Sequence, residues 1–274
     1  TFSFPRPVLA PSLGLSLAFS AAHAAEPHKQ VLPDAEQYQP EALKLLERLV
    51  NIDSGSGYEP GLKQVSEIAI DELKKLGATI ELVPNTPEKS NHVLATLKGT
   101  GKAKILLMAH MDTVFKEGSA AERPFHIKDG RAYGPGVMDD KGGIVAGIYA
   151  LKVLKNLDFK DYAQITFLLD ASEETGSDVA TDLIKKTAKQ HDVTLNLEPG
   201  RPADGLVVWR KGSATALVEV KGKAAHAGVA PELGRNAAME AAHQILQLGK
   251  LGDEAKKATI NFTVLKAGGR TNGV

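Results

Sequence analysis

The 274-residue chain contains no cysteine. That excludes disulfides and thiolate metal ligands. Any metal site must therefore be built from His, Asp and Glu, a donor set that suits zinc or another divalent ion in oxygen-rich surroundings. An excess of charge is also missing, since 33 Lys and Arg balance 33 Asp and Glu. A neutral chain argues against nucleic acid or an anionic membrane surface as the main partner. There is no internal repeat and no low-complexity tract. The apolar run at residues 8–19 is short and broken by Pro11 and Gly14, which argues against a transmembrane helix.

Arg6 precedes that run and Ala22-His23-Ala24 follows it. Positive charge, apolar core and small-x-small site is the order of a secretory signal. Residues 1–24 are thus expected to be removed from a protein that is periplasmic or secreted in a bacterium, with no membrane attachment afterwards. Residues 26–38 read as a flexible mature N-terminus. The start at Thr1 and the end at Val274, with no closing element, read as those of a fragment. The mature part divides into residues 25–212 and, after a change of texture at Gly212, residues 213–274.

Hydrophobic spacing predicts the elements. Pro40 opens a helix carrying Leu43, Leu46, Leu49 and Val50, and a second helix covers residues 60–76 with Gly77 as its stop. The glycine- and serine-rich loop between them follows a helix rather than a strand and has little weight as a phosphate loop. Strands are expected near residues 78–83, 92–98, 104–109, 163–169 and 193–197, and helices at 143–157 and 179–189. The last part should hold strands at 214–220 and 259–265 around a helix at 235–248.

Chemistry clusters at the ends of these elements. Ile105-Leu106-Leu107-Met108-Ala109 is a short apolar run that delivers His110 and, two residues on, Asp112. A spacing of two lets both side chains share a face, with His110 a metal ligand and Asp112 the carboxylate that orients a ligand ring. A strand end that is merely polar would explain this pair alone. Gly134-Pro135-Gly136 then leads to Asp139-Asp140 at the mouth of the next helix. Helix capping explains Asp140 but not both carboxylates. Glu173-Glu174 follows another buried strand, where paired acids repel unless a cation sits beside them. Glu198-Pro199 ends the strand after that. His226 stands in a loop of small residues.

With these motifs in place, together with His226-Ala227-Gly228, the chain resembles the zinc-dependent exopeptidase and deacylase family. That family includes glutamate carboxypeptidases, acetylornithine deacetylases, succinyl-diaminopimelate desuccinylases and aminoacylases. Residues 225–234 look most like its glutamate carboxypeptidase branch. The resemblance implies an α/β fold: a mixed-sheet catalytic domain with helices on both faces, plus a ferredoxin-like α+β dimerisation domain, incomplete here. It implies two zinc ions bridged by Asp139, one held also by His110 and Glu198 and the other by Glu174. Glu173 is then the general base and acid, and Asp112 supports His110. His226 and Asn272 contact substrate, and the Asp139–Asp140 peptide is cis. The last ligand of the family, a histidine, is expected downstream of this chain, so the chain alone is expected to be inactive. The implied activity is hydrolysis of an amide bond to a C-terminal amino acid, glutamate first, from folate-type or N-acyl-glutamate substrates, by a homodimer. The alternatives are an N-acyl-amino-acid deacylase of the same family and a non-catalytic binding or dimerisation module.

Overall fold

Runs of β-branched and aliphatic residues between glycine-rich turns build a five-stranded sheet. A computed structural model describes residues 28–87, 89–202, 205–269 and 273. The strands are β1 (Thr79–Asn85), β2 (Ser90–Lys98), β3 (Lys104–His110), β6 (Gln164–Asp170) and β7 (Val193–Asn196), in the order β1-β2-β6-β3-β7. β1–β2 and β2–β6 are antiparallel, whereas β3 runs parallel to both β6 and β7. The sheet is therefore mixed, as expected. A separate two-stranded hairpin pairs β4 (His126–Lys128) with β5 (Arg131–Tyr133).

Helices cover both faces. On one, α1 (Val31–Val50) packs on α4 (Lys141–Asn156), which lies over β3, and α2 (Glu59–Lys75) lies over β2. Leu49, Leu62, Leu73, Ile144 and Ile148 from these helices meet Val93, Ile165, Phe167 and Leu169 of the sheet in one core. Each such side chain fully removed from water contributes about 1.5–3 kcal/mol. A short α3 (Ser119–Glu122) lies in the long connection after β3. α5 (Thr181–Ala188) lies on the other face. His191, just past it, reaches Thr166 Oγ1 at 2.8 Å, on the side of the pleat away from Phe167.

Two expectations are corrected. Pro40 does not open α1 but lies inside it, and residues 31–39 are helical rather than flexible. The turns ahead of Pro40 are fastened to α4. Asp34 accepts hydrogen bonds from Gln30 Nε2 at 2.9 Å and Asn156 Nδ2 at 2.6 Å, and the Tyr38 ring meets Tyr149. Those contacts outweigh the one intrahelical bond that proline cannot donate. Residues 214–220 and 259–265 join no ladder among the described residues. An apolar extended segment becomes a strand only when another backbone pairs with it, and most of these residues are exposed.

The chain divides into two units at Val207–Val208, ahead of the expected boundary at Gly212. The second unit holds α6 (Ala237–Leu248), capped by Asn236 Oδ1 accepting from Met239 N at 3.0 Å. The expected signal at residues 1–24 lies outside the described residues. Among those described, no helix is long and apolar enough to cross a membrane.

Candidate metal centre

Ala109 and Leu107 face the core, so the pleat turns His110 to the opposite side. The ring is buried, 1% exposed. Its Nδ1 lies 3.0 Å from the Asp112 carbonyl oxygen and 3.3 Å from Asp112 Oδ1. A proton on Nδ1 directed at Asp112 leaves Nε2 free to face Asp139 Oδ1 at 2.9 Å and Glu198 Oε1 at 3.7 Å.

Asp112 does more than orient the ring. Its Oδ1 accepts from Glu173 N at 3.0 Å, and its Oδ2 accepts from Glu174 N at 3.1 Å and Ser56 Oγ at 2.7 Å. It thereby pins the 3₁₀ turn Glu173–Thr175 that follows β6. Asp170, the last residue of β6, holds the same turn from behind. It accepts from Ser172 N at 2.9 Å and Ser177 Oγ at 2.6 Å, and His92 Nδ1 lies 3.0 Å away.

α4 supplies the next carboxylate. Asp140 caps the helix by accepting from Gly143 N at 3.1 Å, and its other oxygen lies 3.3 Å from His110 N. The Asp139–Asp140 peptide is cis, as the resemblance implies. Through its bond from Gly143, Asp140 serves the helix, while the half-exposed Asp139 side chain faces the imidazole. Gly143 is needed for close approach, because a Cβ there would stand 2.5 Å from the Leu197 carbonyl oxygen. That contact seats the chain leaving β7 at the point where Glu198 enters the site.

The electrostatics are those of a carboxylate cluster. Burial, then repulsion from Glu198, Asp112 and Asp139, raises the Glu173 pKa against the pull of His110. Glu174 is raised by burial and by Asp139, and Asp140 by burial and by Glu198. Burial works against a charge on His110, but its contacts with Asp112, Asp140 and Asp139 outweigh this and raise its pKa. Among the described residues no lysine or arginine pairs with Asp139, Glu173, Glu174 or Glu198. The ligand atoms of His110, Glu173 and Glu198 lie within 4.8 Å of one another, as do those of His110, Asp139 and Glu174. One imidazole facing several unneutralised carboxylates fits a divalent cation such as zinc.

The structure thus brings together His110, Asp112, Asp139, Glu173, Glu174 and Glu198. The groups differ from the expected ligand sets: Glu173, read as a base, lies with His110 and Glu198, and Glu174, assigned to the other ion, lies with His110 and Asp139. His226 belongs to the second unit, where its Nδ1 accepts from Gly228 N at 3.1 Å. Asn272 lies outside the described residues. Sequence reasoning gave no role to Ser56, Asp170, His92 or Lys141. The Lys141 side chain is wholly buried, and burial pulls its pKa down to about 8 against the influence of Asp53.

Comparison with known proteins identifies relatives of the chain. Residues 106–268 match the model of peptidase family M20/M25/M40. The chain is 38% identical to carboxypeptidase G2 of Pseudomonas sp. (strain RS-16) over 277 residues, covering 98% of this chain and 66% of that protein. It is 30% identical to acetylornithine deacetylase of Proteus mirabilis (strain HI4320), covering 86% of this chain and 64% of that one. The chain therefore spans about two thirds of these relatives' length. Among solved structures, aminopeptidase PepT from Bacillus cereus ATCC 10987 superposes with a TM-score of 0.63 at 25% identity, over 86% of this chain and 63% of that one. A tripeptidase from Staphylococcus aureus gives a TM-score of 0.64 at 24% identity over the same shares and shares the fold. With the matched residues running from the strand that carries His110 past the loop that carries His226, the chain belongs to peptidase family M20/M25/M40.

Proposed function

We propose that the complete protein is a metal-dependent carboxypeptidase that hydrolyses an amide bond to a C-terminal amino acid, glutamate first. The observation that carries this is the meeting of His110, Asp139, Glu173, Glu174 and Glu198, with no Lys or Arg pairing to these carboxylates among the described residues. The similarity to carboxypeptidase G2 supports a carboxypeptidase, and the resemblance of residues 225–234 to the glutamate carboxypeptidase branch directs it to glutamate. Asp139 would be shared between two zinc ions, with His110 and Glu198 on one and Glu174 on the other. When bound, such ions polarise the scissile carbonyl and make water more acidic. Asp112 holds the imidazole so that Nε2 faces the site. Glu173, with its pKa raised, takes a proton from water onto its carboxylate and passes it to the leaving amine. His226 is assigned to the substrate's carboxylate or oxyanion and Asn272 to substrate binding. The pattern of residues 1–24 supports export to the periplasm or beyond, and homodimerisation through the second unit completes this reading.

The similarity to acetylornithine deacetylase supports a second reading, an N-acyl-amino-acid deacylase. Rates of the complete, zinc-loaded protein on a folate-type substrate, an N-acyl-glutamate and N-acetylornithine separate the two. Preference for the glutamate substrates is expected. Preference for N-acetylornithine would establish the deacylase, and no turnover of any of the three would overturn both readings.

A further inference from the structure

The loop joining α1 to α2, residues 51–58, takes no part in the chemistry above, yet its hydrogen bonds converge on the site. Ser56 Oγ donates to Asp112 Oδ2 at 2.7 Å. Ser56 N donates to the Thr113 carbonyl at 3.1 Å, and Thr113 N to the Ser54 carbonyl at 2.9 Å. The loop therefore runs as a short ladder beside the segment leaving His110. Gly55 makes this possible, because a Cβ there would overlap the Phe115 carbonyl oxygen. On the loop's other flank, Lys141 Nζ donates to the Ile52 carbonyl at 2.7 Å. Lys141 follows Asp139-Asp140 directly, and its side chain is fully buried. Asp53 also accepts from Gly118 N at 2.7 Å and Ala120 N at 2.8 Å.

A glycine-rich surface loop ordinarily fluctuates, and an ammonium taken out of water is costly unless hydrogen-bonded. Here the buried ammonium fastens the loop, and the loop hydroxyl fastens a carboxylate of the site. We propose that this loop is a positioning element of the metal centre. Ser56 holds the Asp112 carboxylate where it meets His110 and the amides of Glu173 and Glu174. Lys141 ties the same loop to the start of α4, so the segments carrying His110, Glu173, Glu174 and Asp139 keep one spacing. Ser56 and Lys141 act through other residues and are positioning residues.

This inference rests on the metal-site reading above. Zinc titration of the full chain tests it, by competition with a chelator of known affinity, alongside melting of the metal-free forms. Ser56→Ala should weaken zinc binding about tenfold, at the lower end of the usual loss for a residue behind a metal ligand. Its metal-free melting temperature should stay within about 2 °C of wild type, and Ser56→Thr should restore most of the affinity. Lys141→Met, which keeps the stem and removes the ammonium, should weaken zinc binding too. Its loss should not add to that of Ser56→Ala in the double variant, because both act through one loop. Wild-type affinity in Ser56→Ala, failure of Ser56→Thr to rescue, or a fall in metal-free melting that tracks the affinity would overturn the positioning role alone. If the wild-type chain takes up no zinc, the metal-site reading fails and this inference fails with it.

Discussion

Glu173 has the raised pKa of a proton carrier and the position of a possible ligand. Glu173→Gln separates the roles. As a base it should lose about 10²–10⁴-fold or more in kcat while zinc content, read by metal analysis, stays near wild type. Loss of zinc from the variant would make it a ligand instead. Asp170 invites a different measurement. Burial disfavours its charge, but hydrogen bonds from His92, Ser177 and Ser172 outweigh this and hold its pKa below 3.8. A carboxyl with a folded pKa below its unfolded one stabilises fully above the unfolded value, and that stability is lost as pH falls through the folded one. Asp170→Asn should therefore be less stable than wild type by about 1–3 kcal/mol at neutral pH. In urea denaturation the gap should hold down to about pH 5 and close below about pH 4. A gap independent of pH would mean that the charge is not what matters. Neither Asp170 nor Ser56 was legible in the sequence as part of the site. The partner of the Ser56 hydroxyl lies 56 positions away, and nothing local marks such a pairing.

The parallel strands β3 and β6, buried along most of their length, were legible because strands covered on both faces read as near-continuous apolar runs. The exposed β7 was legible instead from the alternation of Val193, Thr194, Leu195 and Asn196. The residues just past their ends were legible because acids in that place need a reason. α1 was misjudged at its start, since contacts from Asp34 and Tyr38 to α4 decide whether the turns ahead of Pro40 form. The strands expected in the second unit show the converse, for apolar spacing marks a segment able to pair but not its partner. One feature of α4 is open to test. A Cβ on Gly147 would come within 2.5 Å of the Phe167 ring. Gly147→Ala gains up to about 1 kcal/mol of helix propensity and loses about 1–3 kcal/mol to overpacking. A net loss in chemical denaturation is expected, and a net gain would show that the ring yields freely.

At the scale of the whole molecule, the site draws on β3, α4, the turn after β6 and the residue beyond β7, none of which forms a site alone. Of the zinc ligands proposed above, His110, Asp139, Glu174 and Glu198, only His110 offers an imidazole among the described residues of the site. Residues 1–274 should therefore bind about one zinc tightly and a second weakly, because a site left with carboxylates alone loses the imidazole that zinc favours. Metal analysis after dialysis checks this, and two tightly held ions would contradict it. The crowding of unneutralised carboxylates has one more consequence. Without a cation, like charges strain against each other; with one, they become its cage. The order of stability among site variants should then invert with metal supply. Glu174→Gln should melt above wild type in excess chelator and below it in excess zinc. Calorimetry reads both rankings, and with the ion removed the residues that serve function become those the fold would be steadier without.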